Sequence, residues 1–224
     1  MDAMGEVHTS GSTRAARLLI VASIVAAATA AGQGIAPQFG VAAGVGVPTG
    51  AYHADANAYG KGFDLGWQVT ALAAFKVPGW PVGFRVDGTY GVNGANGTLN
   101  GSNGQSTEEK SKVLGANLDL TYPVPSGARV SPYVLGGIGV YHTAISITGG
   151  RFLPADTAET TVAWNLGAGI LYSTRGVVLF FEARYVDVAG GLGFSCPLAT
   201  SCARQPGPRT TFLPLMAGIR FGGP

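Results

Sequence analysis

Arg85 with Asp87, and Glu182 with Arg184, are pairs of opposite charge that could exchange protons. Each pair is spaced two residues apart, so both members share one face if the segment is extended. Asp64, Lys76, Asp119 and Arg220 take the same side of their own segments, so the set holds four acids and four bases. An acid–base site is one reading, because positioned carboxylates can give and take protons in a reaction. The other is compensation: charges that face one another in a narrow space must be paired whatever the protein does. No nucleophile motif accompanies the set, and structural ion pairs are the expectation.

The remaining candidates are thinner. His53 and His142 stand beside expected loops or strand ends and read as rim residues. His142 and Ser146 share a parity four residues apart, about 13 Å along a strand at ~3.3 Å per residue, too far for a hydrogen bond without a third group. Cys196 and Cys202 flank Pro-Leu-Ala-Thr-Ser; they are too few for a zinc site and are expected to close a small loop disulfide in an oxidising compartment. Asn96-Gly97-Thr98 and Asn100-Gly101-Ser102 match the glycosylation sequon. The chain has neither a phosphate-binding glycine loop nor a metal-ligand cluster, so no cofactor and no metal are expected. A net charge of +2 without a basic run gives no nucleic-acid footprint.

These groups need elements to position them, and the composition limits which. Thirty-six glycines and 12% charged residues in 224 are odd for a soluble enzyme and ordinary for a chain whose outer wall faces lipid. At the start, Arg14 and Arg17 precede the apolar run 18–28, followed by Thr29-Ala30-Ala31-Gly32. A basic flank, a short apolar run and a small-residue cleavage site predict a signal peptide over residues 1–31, cleaved after Ala30 or Ala31. The run is shorter than the roughly 20 residues a spanning helix needs.

Downstream, eight segments alternate with period two. Residues 38–47 set Phe39, Val41, Ala43, Val45 and Val47 against glycines and Ala42; residues 63–77 set Phe63, Leu65, Trp67, Val69, Ala71, Ala73 and Phe75 against Asp64, Gln68, Thr70 and Lys76. The third has Phe84, Val86, Tyr90 and Val92 opposite Arg85, Asp87 and Thr89; the fourth has Leu114, Leu118, Leu120 and Tyr122 opposite Asn117, Asp119 and Thr121. The fifth, 131–147, has two candidate faces, Tyr133, Leu135 and Tyr141 or Val134, Ile138 and Val140. In the sixth, 160–172, Trp164, Leu166, Ile170 and Tyr172 alternate with Asn165, Gly167 and Gly169. The seventh places Val177, Leu179, Phe181 and Tyr185 opposite Glu182 and Arg184. The eighth, 210–221, has Leu213, Leu215, Ala217, Ile219 and Phe221 on one face and Arg220 on the other. Connections at 48–61, 93–112, 149–157 and 189–209 are longer than those at 77–81, 123–129 and 173–176. The polar stretch 93–112 reads as a mobile loop.

An even number of strands of this length, joined by alternating short turns and long loops, is the signature of an outer-membrane barrel. The closing segment resembles the last strand of bacterial outer-membrane β-barrels, whose terminal aromatic, here Phe221, resembles the signal read by the barrel-assembly machinery. In that family the aromatic is usually last, whereas here Gly222-Gly223-Pro224 follow it. Residues 38–221 as a whole resemble the small barrels of the OmpA-like family. The fold class is therefore all-β, an eight-stranded antiparallel transmembrane up-and-down barrel over residues 32–224 in the bacterial outer membrane.

The resemblance implies a monomer among outer-membrane lipids, with no nucleic acid bound and possible surface partners at the long loops near 93–112 and 189–209. The family's periplasmic peptidoglycan-binding module is not expected after the last strand. Some eight-stranded relatives modify lipid A with a Ser and a His near the outer rim; His142 and Ser146 are the best pair here. No catalytic residue and no enzymatic activity are expected. An eight-stranded interior is just wide enough for side chains to fill it, so the eight charges should brace a core rather than line a wide pore. Gly40, Gly44, Gly46, Gly66, Gly167 and Gly169 give those side chains room. Trp80, Tyr90, Tyr122, Tyr133, Trp164, Tyr172 and Tyr185 are expected in the aromatic girdles. Two other functions fit the pattern: a narrow channel for ions or small solutes, and a soluble exported lipocalin-like barrel with the apolar face turned inward around a ligand.

Overall fold

The computed structural model describes residues 37–54, 62–95, 99–100, 106–126, 129–149, 155–190, 192–198, 201–206 and 209–222. The expected leader, residues 1–31, lies outside them.

Eight strands close a barrel: β1 (Pro37–Thr49), β2 (Gly66–Lys76), β3 (Gly83–Gly94), β5 (Ser106–Pro123), β6 (Val130–Gly149), β7 (Ala155–Ser173), β8 (Val178–Val188) and β11 (Thr210–Phe221). Each pairs antiparallel with the strand before and after it, and β1 meets β11 with Phe39 opposite Phe221. A one-turn helix α1 (Gly50–Ala54), a two-residue strand β4 (Leu99–Asn100) and a hairpin of β9 (Leu192–Leu198) with β10 (Ser201–Pro206) belong to the connections at one end. Tight turns join strands at the other end. Trp80 N–H bonds Val77 C=O at 3.1 Å across Pro78-Gly79, with Gly79 at φ 80°; Gly176, at φ 87°, turns the chain before β8. Both angles suit glycine because a Cβ would be strained there.

Burial decides which face points inward. Ile138, Val162, Leu65 and Leu166 are each more than 60% exposed, whereas Arg85, Asp87 and Asp119 are 2% exposed or less. Apolar side chains outside and charges inside suit a lipid-facing wall and exclude the lipocalin-like arrangement, which needs the opposite. The fifth segment takes the register with Tyr133, Leu135 and Tyr141 inside and Val134, Ile138 and Val140 outside.

Several expectations need correction. Strands β5, β6 and β7 are 18, 20 and 19 residues long, against the ~9 to 11 that cross a bilayer. Residues 107–112, expected in a mobile loop, pair with β6 and extend the sheet about 20 Å at ~3.3 Å per residue. Partners on both sides, Asn93 with Ser111 and Ala144 with Lys112, satisfy their backbone groups and outweigh the polar composition. Likewise β7 starts at Ala155 inside the expected 149–157 loop, and the 189–209 loop contains the β9–β10 hairpin. Phe63 is not on the outer wall. It precedes β2, bridges Ala95 and is fully buried.

The outer aromatics form two levels. Trp67 packs on Tyr90 and Trp164 on Tyr185, each at 5.5 Å between centroids, while Trp80 packs on Phe84 at 6.3 Å at the turn end. From Trp164 to Tyr172 along β7 is about 26 Å, or about 20 Å of height at ~40° tilt, close to the ~25 Å apolar band of such barrels. Tyr133, expected in a girdle, points into the barrel and is 3% exposed.

Candidate functional site: the charged interior

Five of the eight expected charges meet in the middle of the barrel. Arg184 on β8 reaches three carboxylates, Glu182 at 2.8 Å and Asp87 and Asp119 at 3.0 Å. Arg85 on β3 bonds Glu182 at 2.6 Å and Asp87 at 3.1 Å. Register brings these groups together, since Arg85 lies directly opposite Asp119 across the β3–β5 ladder. Around them, Asn117 donates to Asp87 at 2.9 Å, Asn165 donates to Asp119 at 2.8 Å, and the Tyr133 hydroxyl donates to Glu182. Tyr141 donates to Asn117 at 3.1 Å. In this enclosed network the carboxylates and guanidiniums pair with each other in place of the water they gave up, which offsets the cost of burying them.

Arg220 corrects the expectation of an ion pair. It is inside and 5% exposed, but its guanidinium lies over the ring of Phe180 at 4.7 Å and of Tyr133 at 5.4 Å. The ring faces supply the negative potential that a carboxylate would. With it this layer sets three arginines against three acids, and a further acid, Glu109, is buried beyond it on β5 toward the long connections. Asp64 and Lys76 are a further correction: both are exposed at strand ends rather than inside. Asp64 precedes the first ladder residue of β2 and Lys76 is its last, where solvent replaces a lumen partner. One acid and one base leave the set together, so its neutrality is unchanged.

Missing side chains make this room. A Cβ on Gly167 would stand 3.0 Å from Arg184 Cγ, on Gly40 3.0 Å from Arg220 Cγ, and on Gly169 2.7 Å from the Tyr133 ring. Gly137 and Gly139, in the segment whose register was open, do the same for Asp119 and Asn117. Gly44 differs: its Cβ would collide with the Leu215 backbone, so it permits close strand approach instead.

Toward the long-connection end the interior turns apolar. Tyr52, Phe63, Val113, Tyr141, Ile145, Val186, Val188 and Phe212 form one buried cluster. Tyr52 comes from α1, packs on Phe63 at 5.1 Å and donates to Ser111 at 2.8 Å. Burial pushes its phenol above the ordinary range. Toward the turn end, Phe180, Leu72, Met216 and Ala42 form a second cluster. Between the two, the charged layer leaves a void of about 10 Å³, no more than a single water needs. The sequence reading missed Tyr52 and α1; the visible signal was two tyrosines, Tyr52 and Tyr59, in a polar connection.

The other candidates do not assemble a site. His142 is exposed and shares a hydrogen bond with Thr160 at 2.8 Å rather than with Ser146. His53 Nδ1 lies 3.1 Å from the Phe63 carbonyl. Cys196 and Cys202 belong to the facing strands β9 and β10, and their side chains lie outside the described residues. Among the described residues no group of three His, Cys, Asp or Glu could hold a metal.

Three solved structures are similar to this chain. A major outer membrane protein from Thermus thermophilus is 15% identical, covering 84% of this chain and 99% of its own, with a TM-score of 0.51. Neisserial surface protein A is 17% identical over 84% of this chain and 96% of its own, with a TM-score of 0.49. OprG from Pseudomonas aeruginosa is 13% identical over 82% and 95%, with a TM-score of 0.47. No curated protein matches the sequence. The family described as outer membrane protein beta-barrel domain matches residues 18–221. With its apolar outer wall and closed ladder of eight strands, the chain belongs to that family and is an outer-membrane β-barrel protein of bacteria.

Proposed function

We propose that this is a sealed barrel with a structural or surface-interaction role and no enzymatic activity, its interior braced by ion pairs and its long-connection end turned outward. The observation that carries the reading is the filled interior. Between the two apolar clusters, the cavity lined by Arg85, Asp87, Glu182 and Arg184 holds about 10 Å³, too little for a hydrated ion to pass. The sheet of β5 to β7, which continues beyond the length needed to cross a bilayer, supports a role for that end in contact with surface partners.

In this reading the chain is exported by residues 1–31, loses them, and is inserted as a monomer among outer-membrane lipids by the barrel-assembly machinery, with Phe221 as part of the signal. Phe221 is well placed to be read, being on the outer wall at the β1–β11 seam. Cys196 and Cys202 close a disulfide in the last loop.

Planar-bilayer recording on heat-modifiable, folded protein tests the sealed interior. A silent bilayer is expected. Steady single-channel openings that disappear on unfolding would replace this reading with a narrow channel.

A further inference from the structure

The outer wall is not smooth. Beside β5 a furrow of about 660 Å³ runs over β1, β2 and β3, walled by Val41, Ile219, Tyr90 and Leu114. Its floor is low because Ala43, Ala71 and Gly88 carry little or no side chain. On the other side of β5 a second furrow, of about 610 Å³, is walled by Leu118, Ile138, Val140, Val162 and Trp164, with Asp187, paired to Arg209 at 3.1 Å, also lining it. Both are shallow channels open along the outer wall rather than enclosed pockets, a shape that suits an extended chain lying against the barrel. Ala116 joins them: it lies on β5 between Leu114 and Leu118, opposite Gly88 on one side and Val140 on the other.

At the long-connection end of this divide, β5 turns basic. Lys112 and Lys110 continue the outward column above Leu114, about 7 and 13 Å along the strand at ~3.3 Å per residue. Both are exposed. Lys110 bonds Glu108 at 2.7 Å, and that pair is open to solvent and therefore weak. His142, which faces Leu114 across the ladder, adds a further ring nitrogen at this level. Two furrows for hydrocarbon thus converge below two ammonium groups.

We propose that this face binds a phosphorylated glycolipid of the outer leaflet, with acyl chains in the furrows on both sides of β5 and its phosphates at Lys112 and Lys110. A two-chain phospholipid would fill one furrow. A lipid with several chains on one headgroup can straddle the low point at Ala116 and fill both. The proposal rests on the outer-membrane placement and does not depend on the interior being sealed.

Native mass spectrometry of the folded protein in detergent tests it, with hexa-acyl diphosphorylated lipid A as the probe. The comparison lipids are the same molecule stripped of phosphate and dioleoyl phosphatidylglycerol. Retention of lipid A should exceed that of either by about tenfold or more, and the double variant Lys110→Gln/Lys112→Gln should lose about thirtyfold, as expected for two ammonium groups at a membrane surface. Gly88→Leu and Ala116→Leu should also lower retention by filling the furrows. A Cβ at Gly88 meets only the Gly115 carbonyl at 4.0 Å, so that variant keeps room to fold, and its heat-modified gel shift checks this. Equal retention of the dephosphorylated lipid or of phosphatidylglycerol overturns the proposal, as does unchanged retention in folded Gly88→Leu and Ala116→Leu. Channel recordings bear only on the sealed interior, so the two proposals fail separately.

Discussion

Replacing Arg184 with Met should be among the most damaging single changes in the interior. The guanidinium is 6% exposed and within 3.0 Å of Asp87, Asp119 and Glu182. Without it, three carboxylates share one ion-paired cation, Arg85, which bonds Glu182 and Asp87 but not Asp119 among the described contacts. Asp119 keeps the Asn165 amide alone. Leaving a buried charge without its partner costs about 3 to 5 kcal/mol. The loss falls unevenly, so a double-mutant cycle can locate it. Arg184→Met with Asp119→Asn should recover about 2 kcal/mol, and Arg184→Met with Asp87→Asn clearly less, given the size of coupling seen between contacting residues. The assay is urea unfolding in lipid vesicles followed by tryptophan fluorescence, with gel mobility confirming the folded state before titration. Lys76→Met, at an exposed strand end, serves as the control and should leave the midpoint in place. Equal recovery from the two cycles, or a loss below ~1 kcal/mol for Arg184→Met, would refute the argument by showing that water in the lumen solvates the carboxylates.

Three further outcomes follow from particular contacts. Leu118→Arg on the outer wall should cost about 2 to 4 kcal/mol in vesicles by the same titration, the amount found for a charge facing the bilayer midplane. Gly169→Ala should destabilise by about 1 to 3 kcal/mol through overpacking against the Tyr133 ring, whereas Gly88→Ala, with open space beside it, should be neutral; unfolding midpoints measured side by side decide. If Cys196 and Cys202 are bridged in the exported protein, the unfolded chain will take up a maleimide label only after reduction, and equal labelling without reductant would remove the disulfide.

Much of the molecule was legible because a strand's side chains repeat with period two. Arg85 and Asp87 had to share a face, as did Glu182 and Arg184, and the alternation of the closing strand put Leu213, Leu215, Ala217, Ile219 and Phe221 on one side. The fifth strand could not be placed that way. Gly136, Gly137 and Gly139 carry no side chain to reveal a face, so the inward turn of Tyr133 and Tyr141 became visible only through their partners Glu182 and Asn117. Composition misled at 106–112, where a polar run reads as loop although ladder bonds on both sides hold it as strand. Asp64 and Lys76 obeyed the parity argument yet fell at strand ends, because parity says nothing about depth.

The sequence by itself determined that each of eight segments has an apolar and a polar face, because alternation is a local property of an extended chain. It did not determine which face is inside, since an inward apolar lining around a ligand fits the same alternation. The tertiary structure decided that through closure: bending eight strands into a ring puts one face in a space with room for side chains but not for solvent, and the charges there are tolerable because they meet across it. Those meetings are non-local. Arg184 finds Asp119 65 residues away and Asp87 97 residues away, and no spacing in the chain foretells either contact. The long-connection end was settled the same way, when α1 carried Tyr52 into the mouth of the barrel and buried it against Phe63.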